Sequence, residues 1–433
     1  MCLIRVVKEE SNLKKNDFKI ALQESEKIIL FKNIKEAEII LKLKNCLTAE
    51  NDSRSNLSDL IYNLIELSIN QGLSGDLWHN YLKLKICAAE NIFTLRAEKK
   101  LINREDSLYQ IALNDVEIIN NLFSFSFQDI LKHLDQNRLT NLNSFKITDS
   151  ELMPYNLKDL QQLFRANSPG KNLDRLIKFY QNYGAGILNQ SRAFFWQQNT
   201  LKAVNNPDPI TFDQLIAYQK EKKKLIENTE SFLEGYQAHN VLLYGDSGTG
   251  KSSSVKAVLN KYYQQGLRLI EINSSQIKKL PEILEYLNQR GLNFIIFMDD
   301  LSFEEFETDY KYLKAVMEGG IESKPKNVLF YATSNRRHLV REKWQDRESE
   351  VHENDILNEK LSLSERFGLT LMYNNPTQAE YLTIVNELAA QAGLRLTKEA
   401  LRRKALQWSK WNNGRSGRSA KQFINQLLKE KNN

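Results

Sequence analysis

The chain has 433 residues, of which 41% are hydrophobic and 26% are charged. These fractions match ordinary globular proteins and exclude a chain that is disordered throughout. Sixty lysines and arginines against 54 aspartates and glutamates give a net charge of +6, which is too small to indicate nucleic-acid binding by itself. At roughly 100–200 residues per domain, we expect two to four domains.

Cysteines and histidines are sparse. Cys2, Cys46 and Cys87 are widely spaced and form no CxxC motif, and the five histidines form no HExxH motif. This pattern excludes a disulfide framework and a zinc site built on those motifs, and it favours a reducing compartment. The N-terminus lacks the apolar segment of a secretory signal, and no stretch reaches 18 uninterrupted apolar residues. We therefore expect a cytoplasmic protein without membrane segments.

Residues 1–205 are predicted to form a mainly helical N-terminal domain. The segment LSDLIYNLIELSI at 57–69 is typical, because its apolar residues recur at helical spacing. No catalytic motif occurs in this region, and its apolar stripes are interpreted as core packing. The aromatic residues near its end, among them Phe194, Phe195 and Trp196, are interpreted as a buried seam against the next domain.

The pattern changes after the segment NNPDPI at 205–210, whose two prolines cannot continue a helix. Short apolar runs then alternate with helical patterns, as in a parallel sheet covered by helices on both faces. The predicted strands are 240–244, 267–272, 294–298, 328–333 and 369–372. We predict an α/β core over 206–375 and a small helical domain over 376–433.

The strongest motif is GDSGTGKS at 245–252, which matches the GxxxxGK[ST] pattern of a phosphate-binding loop. A predicted strand leads into it and a predicted helix follows. Its glycines allow a tight turn whose N–H groups, with the helix N-terminus, bind phosphates. Lys251 is predicted to contact the β- and γ-phosphates, and the Ser252 hydroxyl to ligate Mg²⁺. The predicted nucleotide-binding residues of this loop are Gly245, Asp246, Ser247, Gly248, Thr249, Gly250, Lys251, Ser252 and Ser253.

A second motif is FIIFMDD, an apolar predicted strand that ends in two acids at Asp299 and Asp300. Downstream of a phosphate-binding loop, this pattern is typical of a Walker B strand. Asp299 is predicted to bind Mg²⁺, and Asp300 to orient or deprotonate the attacking water.

The order of these motifs resembles that of AAA+ ATPases. LLYGDSGTGKSS, FMDDLSFE and FYATSNRRHL, followed by ERF and a basic helical segment, are similar to the bacterial DUF815 family of AAA+ ATP-binding proteins. The resemblance covers about 175–430 and implies an α/β P-loop NTPase core of AAA+ type, with a five-stranded parallel sheet and a C-terminal helical lid. It implies ATP and Mg²⁺ as cofactors. It also implies an adenine pocket lined by Ile216 and Tyr218.

The same resemblance implies further catalytic residues. Asn335, which follows VLFYATS, looks like sensor 1, which holds the attacking water against the γ-phosphate. Arg366 in LSERFG looks like an arginine finger that reaches the nucleotide of a neighbouring subunit, so a homo-oligomer is implied. Arg418 in GRSGRSAKQF looks like sensor 2, with Arg415 as the competing assignment.

Alternatives to these assignments stay open. The acidic pair is Asp-Asp where AAA+ proteins usually carry Asp-Glu, and Glu304 or Glu305 could take the role of Asp300. Asn335 could simply cap the following turn. The charged insertion at 342–362 is predicted to be solvated or to contact a partner.

Arg366 also has alternatives. It could form a structural ion pair with Glu365 or with another nearby acid. The rival candidates for the finger are Arg336, Arg337 and Arg341.

The positive charge of the chain is concentrated in the lid. Residues 395–433 contain 11 lysines and arginines and two acids, so the rest of the chain is slightly acidic. This segment is interpreted first as complementing a bound nucleotide and second as following nucleic-acid phosphates. Trp408 and Trp411 lie among the basic residues and are interpreted as anchors of the lid rather than as base-stacking groups.

Together these features predict a Mg²⁺-dependent ATPase that couples ATP hydrolysis to the remodelling of an unidentified protein partner, contacted through the N-terminal domain. One alternative is a nucleotide-binding switch with negligible hydrolysis, which the Asp-Asp pair suggests. Another is a DNA-handling ATPase similar to helicase loaders or initiators, which the basic lid suggests. A GTPase is disfavoured because no NKxD motif follows the core strands, and a kinase because no acceptor-binding motif is visible.

Overall fold

The computed structural model describes residues 17–48, 54–134, 145–147, 157–165, 168–303, 309–318, 324–335, 363–394, 396–412 and 414–432. Tertiary contacts divide the chain into two compact units. Unit 1 consists of Met1–Ser191 with Arg290–Leu292, and unit 2 of Arg192–Gln289 and Asn293–Asn433. No helix within the described ranges is both long and apolar enough to cross a membrane.

Unit 1 is helical, as predicted. A helical stretch at 17–24 is followed by α1 (Lys32–Lys35), α2 (Glu38–Thr48), α3 (Arg54–Asn70), α4 (Leu77–Cys87), α5 (Ile92–Glu98), α6 (Ser107–Phe123), α7 (Phe127–His133), α8 (Leu157–Gln162) and α9 (Pro169–Tyr183). Polar side chains begin several of these helices. The Asp76 carboxylate accepts a hydrogen bond from the His79 N–H, and Asn91 and Ser126 form capping boxes at α5 and α7. These contacts satisfy N–H groups that a helix start leaves unpaired.

The core of unit 1 forms where the apolar faces of these helices meet. Trp78, Phe93 and Tyr180 are among its fully buried side chains. Asp115 carries a charge and is buried as well, at 1% exposed. Its carboxylate accepts hydrogen bonds from the N–H groups at 29–31, which supply the partners that a buried charge requires.

Unit 2 is organised around a seven-stranded sheet in the order β2-β1-β4-β5-β6-β3-β7. The strands are β1 (Ala193–Gln197), β2 (Thr200–Ala203), β3 (Val241–Gly245), β4 (Leu267–Ile272), β5 (Asn293–Met298), β6 (Val328–Ser334) and β7 (Leu369–Tyr373). All neighbouring pairs are parallel except β1 and β2. The five predicted strands are confirmed as β3 to β7. Strands β5 and β6 are almost wholly buried, as parallel strands covered on both faces must be.

Strands β1 and β2 extend this sheet beyond the five predicted strands. The aromatic run that the sequence placed in a helical region forms β1, with Phe194 and Trp196 buried and Phe195 45% exposed. Alternation of buried and exposed residues follows from the two-residue period of a strand. The two compact units therefore divide at 191–192, whereas the three-domain division at 205 and 375 remains a prediction.

Seven α-helices are described in unit 2. Those of the core are α10 (Gln219–Leu233), α11 (Lys251–Tyr262), α12 (Leu280–Asn288) and α13 (Asp309–Glu318), and those of the lid are α14 (Gln378–Gln391), α15 (Lys398–Trp411) and α16 (Gly417–Asn432). The lid helices bury an apolar cluster of their own, which includes Tyr381, Leu401 and Phe423. Because β3, β5 and β6 are parallel neighbours, their carboxyl ends meet at one edge of the sheet, where the phosphate-binding loop, the two acids after β5 and Asn335 lie.

Candidate functional site

The phosphate-binding loop connects β3 directly to α11, as the motif requires. Gly245, Gly248 and Gly250 all have positive φ, at 131°, 76° and 97°. A Cβ atom on Gly245 would lie 2.3 Å from the carbonyl oxygen of Tyr373 in β7, so no other residue fits there. Gly250 is the N-cap of α11, which leaves the first N–H groups of that helix directed into the loop.

Lys251 lies at the centre of this loop and is 7% exposed. Its Nζ donates hydrogen bonds to the carbonyl oxygens of Gly245 and Asp246, each at 2.8 Å, and to Asn335 Oδ1 at 3.0 Å. Burial lowers the pKa of the Lys251 ammonium, and the carboxylates of Asp300, Asp246 and Asp299 oppose that shift. Lys251 is therefore close enough to both acids after β5 to feel their charge, while its predicted contact with phosphates stays a prediction.

Ser252 and Asp299 are brought together at the start of α11. The Ser252 hydroxyl donates to Asp299 Oδ1 at 2.6 Å, and the Thr333 hydroxyl donates to the same oxygen at 2.6 Å. A hydroxyl beside a carboxylate is a pair of hard oxygen ligands, which suits Mg²⁺. No group of three acidic, histidine or cysteine side chains forms a metal site among the described residues. Mg²⁺ needs no such group, since phosphates and water complete its coordination.

Asp300 and Asn335 contact each other at the ends of β5 and β6. Asn335 Nδ2 donates to Asp300 Oδ1 at 2.8 Å, while Asn335 Oδ1 accepts from Lys251. The Asp300 backbone is left-handed, with φ 53°, and its N–H donates to Thr333 Oγ1 at 2.8 Å. The Asn335 side chain thus bridges an acid and a cation of the site. The turn that it was alternatively expected to cap lies outside the described residues.

A cavity of about 760 Å³ opens over these groups. Part of its wall is apolar, formed by Leu215, Ile216 and Ala217 of the core together with Ile384 and Leu388 of α14. A concave site with one apolar wall and a few convergent polar groups is typical of a small-molecule site. The sequence did not identify Leu215, Ile384 or Leu388, because only tertiary packing brings the lid against the core.

Tyr218 also lines this cavity. It is left-handed at φ 62°, its ring lies 4.7 Å from the ring of Tyr373, and its hydroxyl donates to the carbonyl oxygen of Asn374 at 2.5 Å. Burial raises the pKa of the Tyr218 phenol, so it stays neutral and can remain a donor. Ile216 and Tyr218, the two residues predicted to line the adenine pocket, therefore both line this cavity, next to Leu215 and Ala217.

The lid contributes Arg418 to the cavity. Its backbone N–H donates to the carbonyl oxygen of Gly248 at 3.1 Å, and Lys421 lines the cavity beside it. Arg415 is not among the described residues that line this cavity. The geometry thus supports Arg418 over Arg415 as the arginine that meets a bound phosphate, although the role itself remains a prediction.

Arg366 lies outside the cavity wall. Its Nη2 is 2.6 Å from Glu318 Oε1 at the end of α13, and its side chain is 46% exposed. It therefore forms an ion pair within its own chain, with Glu318 as the other nearby acid that the alternative to Glu365 allowed. The rival arginines 336, 337 and 341, the acids 304 and 305, and the insertion 342–362 lie outside the described residues.

The two lid tryptophans differ. Trp408 is partly buried and its ring lies 5.9 Å from Phe423 in the lid core, as expected for an anchor. Trp411 is 77% exposed, which does not match the expectation that it anchors the lid. It ends α15, whose Arg402, Arg403 and Lys410 are exposed as well.

Comparisons with known proteins bear on this site. A family model described as "Protein of unknown function (DUF815)" matches residues 189–431. The chain is 35% identical over 140 residues to the AAA-ATPase At5g57480 of Arabidopsis thaliana, which covers 30% of this chain and 25% of that protein. It is 34% identical over 76 residues to the replication factor C large subunit of Staphylothermus marinus, covering 17% of each chain.

Solved structures give a weaker likeness. The Thermotoga maritima RuvB Holliday junction branch migration motor is 18% identical, covers 51% of this chain and 65% of that one, and has a TM-score of 0.36. The chain thus spans less than two thirds of the length of each of these proteins.

Proposed function

The chain belongs to the DUF815 family, its core is of the AAA+ ATPase type, and from that premise we propose that it binds ATP and hydrolyses it with Mg²⁺. The observation that carries the proposal is the convergence of Lys251, Ser252, Asp299, Asp300 and Asn335 at one edge of the sheet, joined by hydrogen bonds. These residue types match the cation, metal ligands and water-orienting groups that phosphoryl transfer requires.

Phosphate binding is the task of the loop and of Lys251. The glycines leave the loop N–H groups and the start of α11 free to bind phosphate oxygens. Lys251 already has three acceptors, so a bound phosphate replaces one or more of its contacts with Gly245, Asp246 and Asn335.

Ser252 and Asp299 are the residues that would hold Mg²⁺. When bound, Mg²⁺ neutralises charge that develops on the β- and γ-phosphate oxygens. Asp300 would orient the attacking water and accept its proton, and Asn335 would hold both Asp300 and that water in place. Arg418 would contact the γ-phosphate from the lid. The apolar wall that includes Ile216 would receive the adenine ring.

Two variants would test nucleotide binding and ATP turnover. Lys251→Ala removes a charged hydrogen-bond donor and is expected to weaken ATP binding at least about tenfold. Asp300→Asn keeps the shape of the side chain but not its basicity, so we expect ATP binding to persist while phosphate release falls about 100-fold or more. Lys261→Ala, at the exposed end of the same helix α11, is the matched control and should leave both unchanged.

The outcomes separate the candidate functions. Wild-type turnover that disappears in Asp300→Asn supports the ATPase. Tight ATP binding without phosphate release from the wild type favours the nucleotide-binding switch that the Asp-Asp pair suggests. If Lys251→Ala binds ATP as well as Lys261→Ala does, the proposed site is wrong.

Partners are also part of the proposal. We propose a homo-oligomer in which Arg366 acts on the site of a neighbouring subunit, and an unidentified protein partner contacted through unit 1. The exposed Trp411 beside exposed basic residues of α15 favours nucleic acid as a second candidate partner. Absence of a mobility shift with single- and double-stranded DNA at low salt would exclude it, because phosphate contacts are strongest there.

A further inference from the structure

Thr333 lies beside both acids of the site. Parallel pairing of β5 with β6 sets Met298 opposite Ala332, which brings Thr333 level with the first residue after β5, Asp299. Thr333 is 1% exposed. Its hydroxyl donates to Asp299 Oδ1 at 2.6 Å and accepts from the Asp300 N–H at 2.8 Å. This one buried hydroxyl therefore donates to the side chain of the first acid and accepts from the backbone N–H of the second.

The contact with Asp300 supports an uncommon backbone conformation. Asp300 has φ 53°, a left-handed value that few residues other than glycine adopt, aspartate and asparagine among them. Two hydrogen bonds to Thr333 of β6 hold this turn: the Asp300 N–H donates to Thr333 Oγ1, and the Leu301 N–H donates to the Thr333 carbonyl oxygen at 2.7 Å. Successive side chains of a strand point to opposite faces of the sheet. The turn at Asp300 interrupts this alternation, so that the Asp299 side chain faces Ser252 and the Asp300 side chain faces Asn335.

The contact with Asp299 fixes the direction of a carboxylate oxygen. Asp299 Oδ1 accepts from both Ser252 Oγ and Thr333 Oγ1, so it is held from two sides. A carboxylate that binds a metal is commonly oriented by such an outer hydrogen bond, and loss of that bond commonly costs about 10–100-fold in metal affinity or activity.

We propose that Thr333 is a positioning residue that sets the geometry of the Asp299–Asp300 pair for Mg²⁺ binding and water activation. This inference rests on the proposed function, because it assigns Thr333 to the same site. Thr333 lines the cavity, but both hydrogen bonds of its hydroxyl go to the two acids, so the role that we assign to it is to position them.

The decisive variant is Thr333→Val, which keeps the shape of the side chain and removes the hydroxyl. We measure binding of a fluorescent ATP analogue without Mg²⁺ and across a Mg²⁺ titration, together with ATP turnover. Binding without Mg²⁺ should change little, whereas the half-saturating Mg²⁺ concentration should rise about tenfold and kcat should fall about 10–100-fold. The KM for ATP should stay nearly constant, because the phosphate-binding loop is untouched.

Two further variants control this experiment. Thr333→Ser restores the hydroxyl without the methyl group and should recover most of the wild-type Mg²⁺ dependence. Thr229→Val, in α10, is the matched control, because Thr229 is also fully buried in unit 2 and its hydroxyl bonds Leu225 and Tyr331. This substitution should leave the Mg²⁺ dependence unchanged. If Thr333→Val does not fold, Thr333→Cys replaces it, since a thiol is only a weak donor and should give an intermediate shift.

The role of Thr333 is overturned if the serine variant is as impaired as the valine variant, or if Mg²⁺-free ATP binding falls as much as Mg²⁺-dependent binding. Failure of the proposed ATPase is a separate outcome. If the wild type binds ATP with Mg²⁺ but releases no phosphate, hydrolysis is excluded, and the shift in half-saturating Mg²⁺ still supports or overturns Thr333.

Discussion

The polar side chains of the site form hydrogen bonds with one another and with the loop backbone. The three donors of Lys251 meet three protein oxygens, and the amide of Asn335 uses its oxygen on Lys251 and its nitrogen on Asp300. A buried cation without such acceptors would be costly. The site is therefore kept in a stable arrangement that a phosphate can enter by exchanging hydrogen bonds.

Lys324 is a partly buried cation away from the site. Its Nζ donates to Asn240 Oδ1 at 3.0 Å and lies 5.8 Å from the centroid of the Phe330 ring. Burial lowers the pKa of Lys324 to about 8. The unfolded chain therefore holds this proton more tightly than the folded chain, so the stability contribution of Lys324 rises with pH between about 8 and 10.5.

Lys324→Met removes this charge and should raise the free energy of unfolding at pH 7 by about 2–3 kcal/mol. The gain should shrink above pH 8, where the wild-type amine loses its proton in the folded state. Chemical denaturation at pH 7 and pH 9.5 measures both effects. Lys326→Met, at an exposed position two residues away, should show neither. A gain that is equal at both pH values would contradict the assigned cause.

At the scale of elements, the short segment Arg290–Leu292 lies between α12 and β5 in sequence but belongs to unit 1. Arg290 Nε and Nη2 donate to the two carboxylate oxygens of Glu98 at 3.1 and 2.8 Å, and Nη1 donates to Glu90 at 3.0 Å. The Arg290 and Glu98 side chains are 2% and 0% exposed. The Glu98 carboxylate also accepts from the N–H groups of Gly291 and Ala185, so its charge is fully paired.

Arg290→Met leaves the Glu98 carboxylate buried without its cation and should destabilise unit 1 by about 3–5 kcal/mol. Hydrogen exchange of unit 1 amides is the measurement, because a chain of two units need not unfold in one transition. Arg104→Ala breaks the exposed pair with Asp174 and should destabilise unit 1 far less, because solvent screens an exposed ion pair. Equal effects of the two substitutions would show that burial of the Arg290 pair contributes nothing.

At the scale of the whole molecule, Arg366 decides whether the site is complete in one chain. Its guanidinium pairs with Glu318 of its own chain and does not line the cavity. This geometry is compatible with a structural ion pair and with a finger that acts on a neighbour, and the two interpretations predict different behaviour in mixtures.

If Arg366 is a finger, Arg366→Ala should bind ATP normally and lose about 10³-fold or more in turnover. Mixing it with Lys251→Ala, which retains Arg366, should raise turnover above that of either variant alone, as measured by phosphate release. Glu318→Gln removes the partner but not the finger and should stay active. Equal loss of turnover in Glu318→Gln and Arg366→Ala, with no recovery on mixing, would establish the structural pair instead.

The sequence by itself was sufficient to predict the features that depend on the spacing of residues close together in the chain. The strand–loop–helix context of GDSGTGKS, the acids that follow β5 and the asparagine that follows β6 were all identified, and the structure brings their side chains together. Local patterns suffice there because parallel neighbouring strands end at one edge of their sheet. The helical character of unit 1 followed from periodicity in the same way.

Tertiary structure alone decided the features that depend on distant packing. A short aromatic run has no unambiguous period, so only pairing with β4 made 193–197 a strand. The role of Thr333 depends on the register between β5 and β6, and the partner of Arg366 lies in a different helix. Membership of Arg290–Leu292 in unit 1 likewise depends on Glu98, a carboxylate far away in sequence. Such contacts are set by how elements pack, and neighbours along the chain carry no information about them.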